Sequence, residues 1–429
     1  YKPLAEKDKD AISRIIVSAE RFYKKIAYFF LVYIGILFFV FPIFNREFSF
    51  GYSASLLLII SISTFAQYYF GITYQVFLNA DQRVYIQSGL SMISVILNTI
   101  VCVILMKLGC GIHVMKLASS AVFVIRPLAQ NIYVHKHYQI NHKITYTEEP
   151  IKQKWNGFAQ HLASVVCGQI DVILLTWFST YRNVSIYSIY YLVVNGISTL
   201  VMTAVSGLES FWGNMIAKGE KELLYKTFEG MECLIHAGVT ALFTTTVILI
   251  VPFVEVYTSG IADSLAYKLP LFGAMLTIGY ACEALRVPYF RIIKAAGHYK
   301  QTQNGAFISM MLNILISIIL VFRFQLVGVA IGTVVALLYH TVYFAWYLRK
   351  NIINRPFYHF MMHMVIDLVV GGLSLLATRA IDLGTVSYVS WVWMAIKVFS
   401  IVIGITAICN VPVYHKEFKY VSKKILRKI

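Results

Sequence analysis

Among the charged residues inside apolar stretches of this 429-residue chain, Arg126, Asp171, Glu283 and Arg286 stand out. A Lys, Arg or Asp at the centre of a membrane helix costs roughly 2.5 to 3.5 kcal/mol on insertion scales, so each needs a partner or an aqueous cavity. These four are the candidate substrate-cavity residues. Arg126 lies about 22 Å into its stretch at a 1.5 Å rise per residue and directly precedes Pro127, too deep for an ordinary loop arginine. Its planar guanidinium suits an anionic group of a bound molecule; the competing reading is a structural ion pair or snorkelling toward the cytoplasm. Asp171, within Gln169-Ile170-Asp171, is the candidate for ion coupling, because a carboxylate deprived of water can take up a cation or a proton. It could equally balance Arg126 in an empty cavity. Glu283 and Arg286 are three residues apart on one helical face ahead of Pro288, the spacing of an intrahelical pair, with a structural, gating or substrate-contacting role.

Other polar residues in apolar sequence invite blander readings. Glu209 falls at a helix edge, and Asp367 and Lys397 could pair with each other. His161, His236 and His340 are isolated and read as hydrogen-bonded core residues, whereas His135, His137 and His142 form a solvated basic loop without metal-site spacing. Tyr187, Tyr190 and Tyr191 could stack on sugars, although helix packing and interfacial belts account for most aromatic residues in such a chain.

The elements that must carry these residues are membrane helices. The chain is 59% hydrophobic and only 13% charged, with mean hydropathy +0.69, where soluble domains carry about 25% charge. Twelve apolar stretches approach the ~20 residues needed to cross a bilayer. They run approximately over 26–44, 52–77, 84–108, 112–134, 155–178 and 185–215, then 228–257, 266–290, 303–322, 326–347, 359–379 and 388–410. The expected fold is an all-α polytopic membrane protein with both ends on one side.

The net charge of +17 is explained by membrane topology and calls for no nucleic-acid partner. Assigning alternate connections to one side places 27 of the 37 Lys and Arg there. The other side holds seven: Arg46, Lys107, Lys116, Arg182, Lys268, Arg323 and Arg379. The positive-inside rule then puts both termini in the cytoplasm. Cys102, Cys110, Cys167, Cys233, Cys282 and Cys409 lie in or beside apolar segments without ligand spacing, so they read as core residues rather than disulfides or zinc ligands. No metal or cofactor is expected. The sequon Asn183-Val184-Ser185 sits in a very short connection and carries little weight.

The pattern also occurs twice. Ala80, Gln87 and Gly89 match Ala296, Gln303 and Gly305 at an offset of 216, and Ser94, Leu97, Asn98, Ile104 and Leu105 match Ser309, Leu312, Asn313, Ile319 and Leu320 at 215. An amphipathic interfacial helix over residues 4–25 has its counterpart over 217–232, where Glu220-Lys221-Glu222 echoes Asp8-Lys9-Asp10. Duplicated membrane helices are a transporter signature. The expected organisation is an N-terminal lobe over 1–134, a basic cytoplasmic linker over 135–154, a six-helix lobe over 155–347, and an appended helix pair with a basic tail over 348–429. Projecting the second copy back by 216 places its first helix before Tyr1, so the complete protein is expected to have about fourteen helices, two preceding this chain.

Several stretches resemble the oligosaccharide flippase family, the Wzx-type O-antigen and polysaccharide exporters of the MOP superfamily. They are YKPLAEKDKDAISRIIVSAERFYKKI at 1–26, YQVFLNADQRVYI at 74–86, and GQIDVILLTWF followed by VSIYSIYYLVV within 168–194. The resemblance extends more weakly over almost the whole chain. It implies two lobes around a central cavity and a site in the bacterial cytoplasmic membrane. The implied substrate is an undecaprenyl-pyrophosphate-linked oligosaccharide, moved by alternating access for polysaccharide, O-antigen or capsule biosynthesis. Implied partners are membrane lipids, a coupling cation (H+ or Na+), and polysaccharide polymerase and chain-length machinery. The alternatives are a MATE-like cation-coupled drug antiporter and an integral-membrane polysaccharide polymerase; the short outer connections disfavour an enzyme, and no glycine-rich nucleotide loop supports direct ATP drive. Two further apolar stretches are expected in frame upstream of Tyr1 in the gene, and the chain as it stands is expected not to transport; sequencing the upstream region tests the first, and robust transport by the chain alone would overturn the second.

Overall fold

The structure is a computed structural model in which residues 2–44, 49–260 and 267–420 are described. Arg46, Lys423, Lys424, Arg427 and Lys428, which entered the charge count, lie outside the described residues, as does the side chain of Cys167. All described secondary structure is helical, and the chain divides into two compact units, Tyr1–Lys152 and Gln153–Ile429.

In the first unit, α1 (Lys2–Glu6) and α2 (Lys9–Phe44) precede α3 (Phe50–Ala66), a π-helical turn (Gln67–Gly71), α4 (Ile72–Ala80), α5 (Val84–Lys107) and α6 (Ile112–His137). The amphipathic segment does not form a separate helix before the first span. α2 runs unbroken through both, because no Gly or Pro interrupts 9–34. Ile16 of α2 packs with Tyr74, Phe77, Leu78 and Val134 in the small core of this unit. At the π turn, Gly71 is required by a close approach: a Cβ there would stand 2.6 Å from Cβ of Pro127 on α6.

The second unit begins with α7 (Lys154–Phe178), bent by 43° between Ala163 and Gly168. It continues through α8 (Tyr181–Ala204), α9 (Leu208–Lys218), α10 (Lys221–Tyr257), α11 (Pro270–Leu285) and α12 (Val287–Ala295). Then come α13 (Tyr299–Asn351), α14 (Tyr358–Ala377), α15 (Tyr388–Val413) and α16 (His415–Tyr420). Pro288 breaks α11 from α12 because it has no N–H to continue the ladder. The core gathers Trp212, Tyr187, Phe228, Tyr289, Phe272 and Phe344, all fully buried. Outward apolar side chains such as Ile319 and Leu368 are exposed, as hydrocarbon-facing residues must be.

α13 is a helical hairpin rather than one rod. Gln325, at φ 46° and ψ −119°, turns the chain, and the arms 299–324 and 326–351 pack back on each other. Ser317 Oγ donates to the Val329 carbonyl (3.4 Å), Ser309 Oγ to that of Ala336 (2.9 Å) and Tyr343 Oη to that of Gln301 (3.4 Å), each contact farther from the turn. Nine helices among the described residues are long and apolar enough to cross a membrane, or ten if bent α7 is one span. That count treats α13 as one and omits the 16-residue α11; separating the arms and adding α11 recovers twelve.

The repeat is written into the backbone. α2 and α10 have 36 and 37 residues, and each starts two residues after a left-handed position, Lys7 (φ 56°) and Gly219 (φ 73°). α4 and α12 both have nine residues, and the next helices start two residues after Gln82 (φ 60°) and Gly297 (φ 73°).

Close approach of the α13 arms makes Gly328 and Gly332 sensitive positions. A Cβ at Gly328 would collide with the Leu320 backbone, and one at Gly332 would meet Ser317 N at 3.0 Å and Asn313 O at 3.1 Å. Gly328→Ala and Gly332→Ala are each expected to cost about 1–3 kcal/mol. Gly372→Ala on α14, where nothing lies within 4 Å, should be neutral or stabilising; thermal unfolding in detergent compares the three.

Candidate substrate cavity and its ionisable residues

Asp171 is 1% exposed, on α7. Its Oδ2 accepts hydrogen bonds from the Thr333 hydroxyl on α13 (2.7 Å) and the Tyr187 hydroxyl on α8 (3.0 Å), and the Asn313 carboxamide also faces it. Asn313 and Thr333 stand on opposite arms of the hairpin, so the carboxylate meets both, and Ser317 Oγ lies 2.9 Å from Asn313 Oδ1 one turn along the first arm. Asp171 is therefore enclosed by oxygen-bearing groups from three helices. Tyr187 is spent on this role and Tyr190 on the 267–269 backbone, accepting from Leu269 N and donating to Tyr267 O. With exposures of 1% and 0%, neither offers a face to a sugar; Tyr191 stacks on Tyr187.

Beside this carboxylate, a small cavity opens between α7, α11 and α13, where Tyr280, Glu283, Arg286, Thr333 and His340 stand among apolar groups such as Ala306 and Leu337. The volume open to the centres of water molecules is about 20 Å³, room for about one or two waters. Glu283 and Arg286 form the ion pair that their spacing implied, 3.1 Å from Nη2 to Oε1. Arg286 also donates through Nη1 to His340 Nδ1, and its guanidinium lies over the rings of Phe290 and Phe344. Thr333 lines the cavity and also holds Asp171, so three of the four candidate residues belong to one polar site.

Arg126 belongs to the first unit. It is half-buried on α6 and donates to Gln75 Oε1 on α4 at 3.0 Å, where Gln67 of the π turn also donates (2.8 Å). Described partners of Asp171 all lie in its own unit.

Elsewhere the structure corrects and extends the sequence reading. Asp367 does not pair with Lys397, which is exposed; Asp367 instead faces His236 Nδ1 at 2.6 Å and accepts from Thr240 at 2.6 Å. Glu209 pairs with Arg291 at 3.0 Å. His135 and His142 stack 3.1 Å apart through their Nε2 atoms, and no metal-binding cluster occurs among the described residues. Asn183 is buried, its carboxamide donating to Ser179 Oγ and to Gln325 Oε1 at the hairpin turn, so a glycan there would break the hold on that turn. Glu232 was overlooked by the sequence reading, although it is fully buried.

No known family profile and no curated protein matches the chain, but solved structures do. Lipid II flippase MurJ, in an inward closed conformation, superposes with a TM-score of 0.59 at 17% identity, over 94% of this chain and 86% of its own. The Vibrio cholerae MATE transporter VcmN in its bent form gives 0.58 at 13% identity, over 81% of this chain and 85% of its own. An outward-facing multidrug resistance MATE family transporter of the MOP superfamily gives 0.58 at 13%, over 81% and 80%. The protein is a multi-pass, all-helical membrane protein with the fold shared by these MOP flippases and MATE transporters.

Removal of the Thr333 hydroxyl tests the Asp171 site directly. Thr333→Val is expected to destabilise by about 1–3 kcal/mol, the cost of leaving a buried acceptor short of a donor, whereas Thr333→Ser keeps the hydroxyl and should recover most of it. Equal thermal unfolding of the two variants would remove Thr333 from the site.

Proposed function

We propose that this chain is a MOP-type flippase that carries a lipid-linked oligosaccharide across the bacterial cytoplasmic membrane by alternating access, in polysaccharide, O-antigen or capsule biosynthesis. The observation that carries this reading is the solvent-open Glu283–Arg286–His340 cavity set among apolar helices, in a fold shared with a lipid II flippase. A glycan and a pyrophosphate need a hydrated cationic path, while a lipid tail can stay in hydrocarbon. Arg126 and Arg286 supply cationic donors for the anionic part, and Asp171 takes the coupling cation, H+ or Na+. The division into an N-terminal lobe, a linker over 135–154, a second lobe to 347 and an appended pair belongs to this proposal. So do the cytoplasmic placement of both termini and a working association with polymerase and chain-length proteins. No covalent chemistry on the substrate is required.

A MATE-like antiporter is the second reading, favoured by the two MATE structures of the same fold and by the oxygen-rich surroundings of Asp171, which suit a hard cation. Complementation separates the two. The gene should restore surface polysaccharide to a flippase-deficient strain and leave drug resistance unchanged; the opposite result selects the antiporter. Within the flippase reading, Arg126→Ala should lower glycan translocation about 10- to 100-fold, the equivalent of losing one charged hydrogen bond. Asp171→Asn should abolish its dependence on the cation gradient. Unchanged transport in Arg126→Ala removes that residue from the substrate path.

A further inference from the structure

A second buried polar cluster lies outside this cavity, at the seam between α10, α12 and α14. Glu232 and His236, one turn apart on α10, are both fully buried. Glu232 accepts hydrogen bonds from Arg355, just ahead of α14, and from the Tyr289 hydroxyl of α12 (2.7 Å). His236 Nε2 lies 2.9 Å from that same hydroxyl oxygen, and its Nδ1 lies 2.6 Å from Asp367 on α14. Asp367 also accepts from Thr240. His363 of α14 stacks on His236 with ring centroids 4.7 Å apart, and its Nε2 stands 3.6 Å from Glu232.

Counting protons along this chain of contacts gives a definite answer. Tyr289 has one hydroxyl proton, and it is donated to Glu232. The Tyr289 oxygen can then only accept from His236, so Nε2 carries a proton. Nδ1 faces Asp367, and one proton lies between them; the imidazole is the stronger base, with an ordinary pKa of about 6.5 against about 3.9 for Asp, so Nδ1 holds the proton and the carboxylate accepts. Charge gives the same result for the groups closed off from water: Glu232, Asp367 and Arg355 sum to −1, while Glu229 beside Arg355 and Glu417 on α16 are only half-buried and keep water of their own, and an uncompensated buried charge is expensive. We propose that this seam is a proton-binding site, in which one proton held on His236 between Asp367 and Tyr289 neutralises the cluster and fastens α14 to the body of the second unit.

His363 is the rival carrier, but its contact with Glu232 is long and its Nδ1 has no hydrogen-bond partner. Other groups facing the cluster are Cys233 on α10, Cys282 on α11, Tyr414 stacked on His363, and Glu417 on α16. Burial disfavours the charge of Arg355, but the Glu232 carboxylate more than offsets this and holds the guanidinium protonated beyond its usual range, so Arg355 does not give up a proton to the network. The site is independent of what the protein transports.

Nitrogen NMR of the full chain in nanodiscs, labelled at histidine, tests the assignment at pH 7. A doubly protonated imidazole should be present, vanish in His236→Gln, and turn neutral in Asp367→Asn. A neutral His236, or a doubly protonated signal that survives His236→Gln, overturns the proposal. Stability gives a second readout. His236→Gln alone leaves a carboxylate uncompensated and should lower the melting temperature by several degrees, and adding Asp367→Asn should recover most of the loss. Equal melting of the single and double variants would mean that no charge was being neutralised. If His236→Gln fails to fold, the spectra of the native chain and Asp367→Asn decide alone.

Discussion

Nearly every specific feature of the second unit follows from the intolerance of hydrocarbon for an unpaired polar group. Lipid tails are as apolar as Leu, so apolar side chains alone give little preference for one helix neighbour over another. A buried carboxylate or guanidinium discriminates strongly, because leaving it unpaired costs more than pairing it gains. Asp171 joins α7 to α8 and α13, Arg286 joins the end of α11 to α13, and Glu232 with His236 joins α10 to α12 and α14. These contacts name the helices that must be adjacent, and the aromatic core fills the space between them.

The presence and approximate position of the spans were readable from hydropathy because each crossing needs about 20 apolar residues; helix length was not, since α2 and α10 run to 36 and 37 residues and α11 only to 16. The duplication was readable too, and it persists in the turn geometry: Gln82 and Gly297 each adopt a left-handed conformation two residues before a long helix. The break between an interfacial helix and the first span was not there to be read. Amphipathicity marks which face is apolar and says nothing about where a helix stops; only a breaker does, and 9–34 has none.

Pairing partners were legible only when local. Glu283 and Arg286 announced themselves by spacing. Thr333 lies 162 residues from Asp171, and Arg355 lies 123 from Glu232, so tertiary packing alone brings them together. Asp367 shows how proximity in sequence misleads. Lys397 was the nearest opposite charge on the adjoining helix, yet the acid turns inward to His236 and Thr240 while the lysine stays exposed. A lysine reaches the membrane surface along its own flexible stem. A short aspartate cannot, so it takes a partner inside the protein.

The two polar clusters of this unit solve the same problem in opposite ways. At the cavity, Glu283 keeps 28% of its side chain exposed beside Arg286 at 9%, and water or an incoming anion can complete what the protein leaves unmade. On the proposed function, that incompleteness is where a ligand would compete for the arginine. At the seam, side-chain exposures range from 0 to 9%, so water cannot complete the network, and balance must come from within. A transporter that moves its cavity walls needs labile contacts at the cavity and durable ones where helices travel together. The open ion pair suits the first task, and the closed, charge-balanced network suits the second.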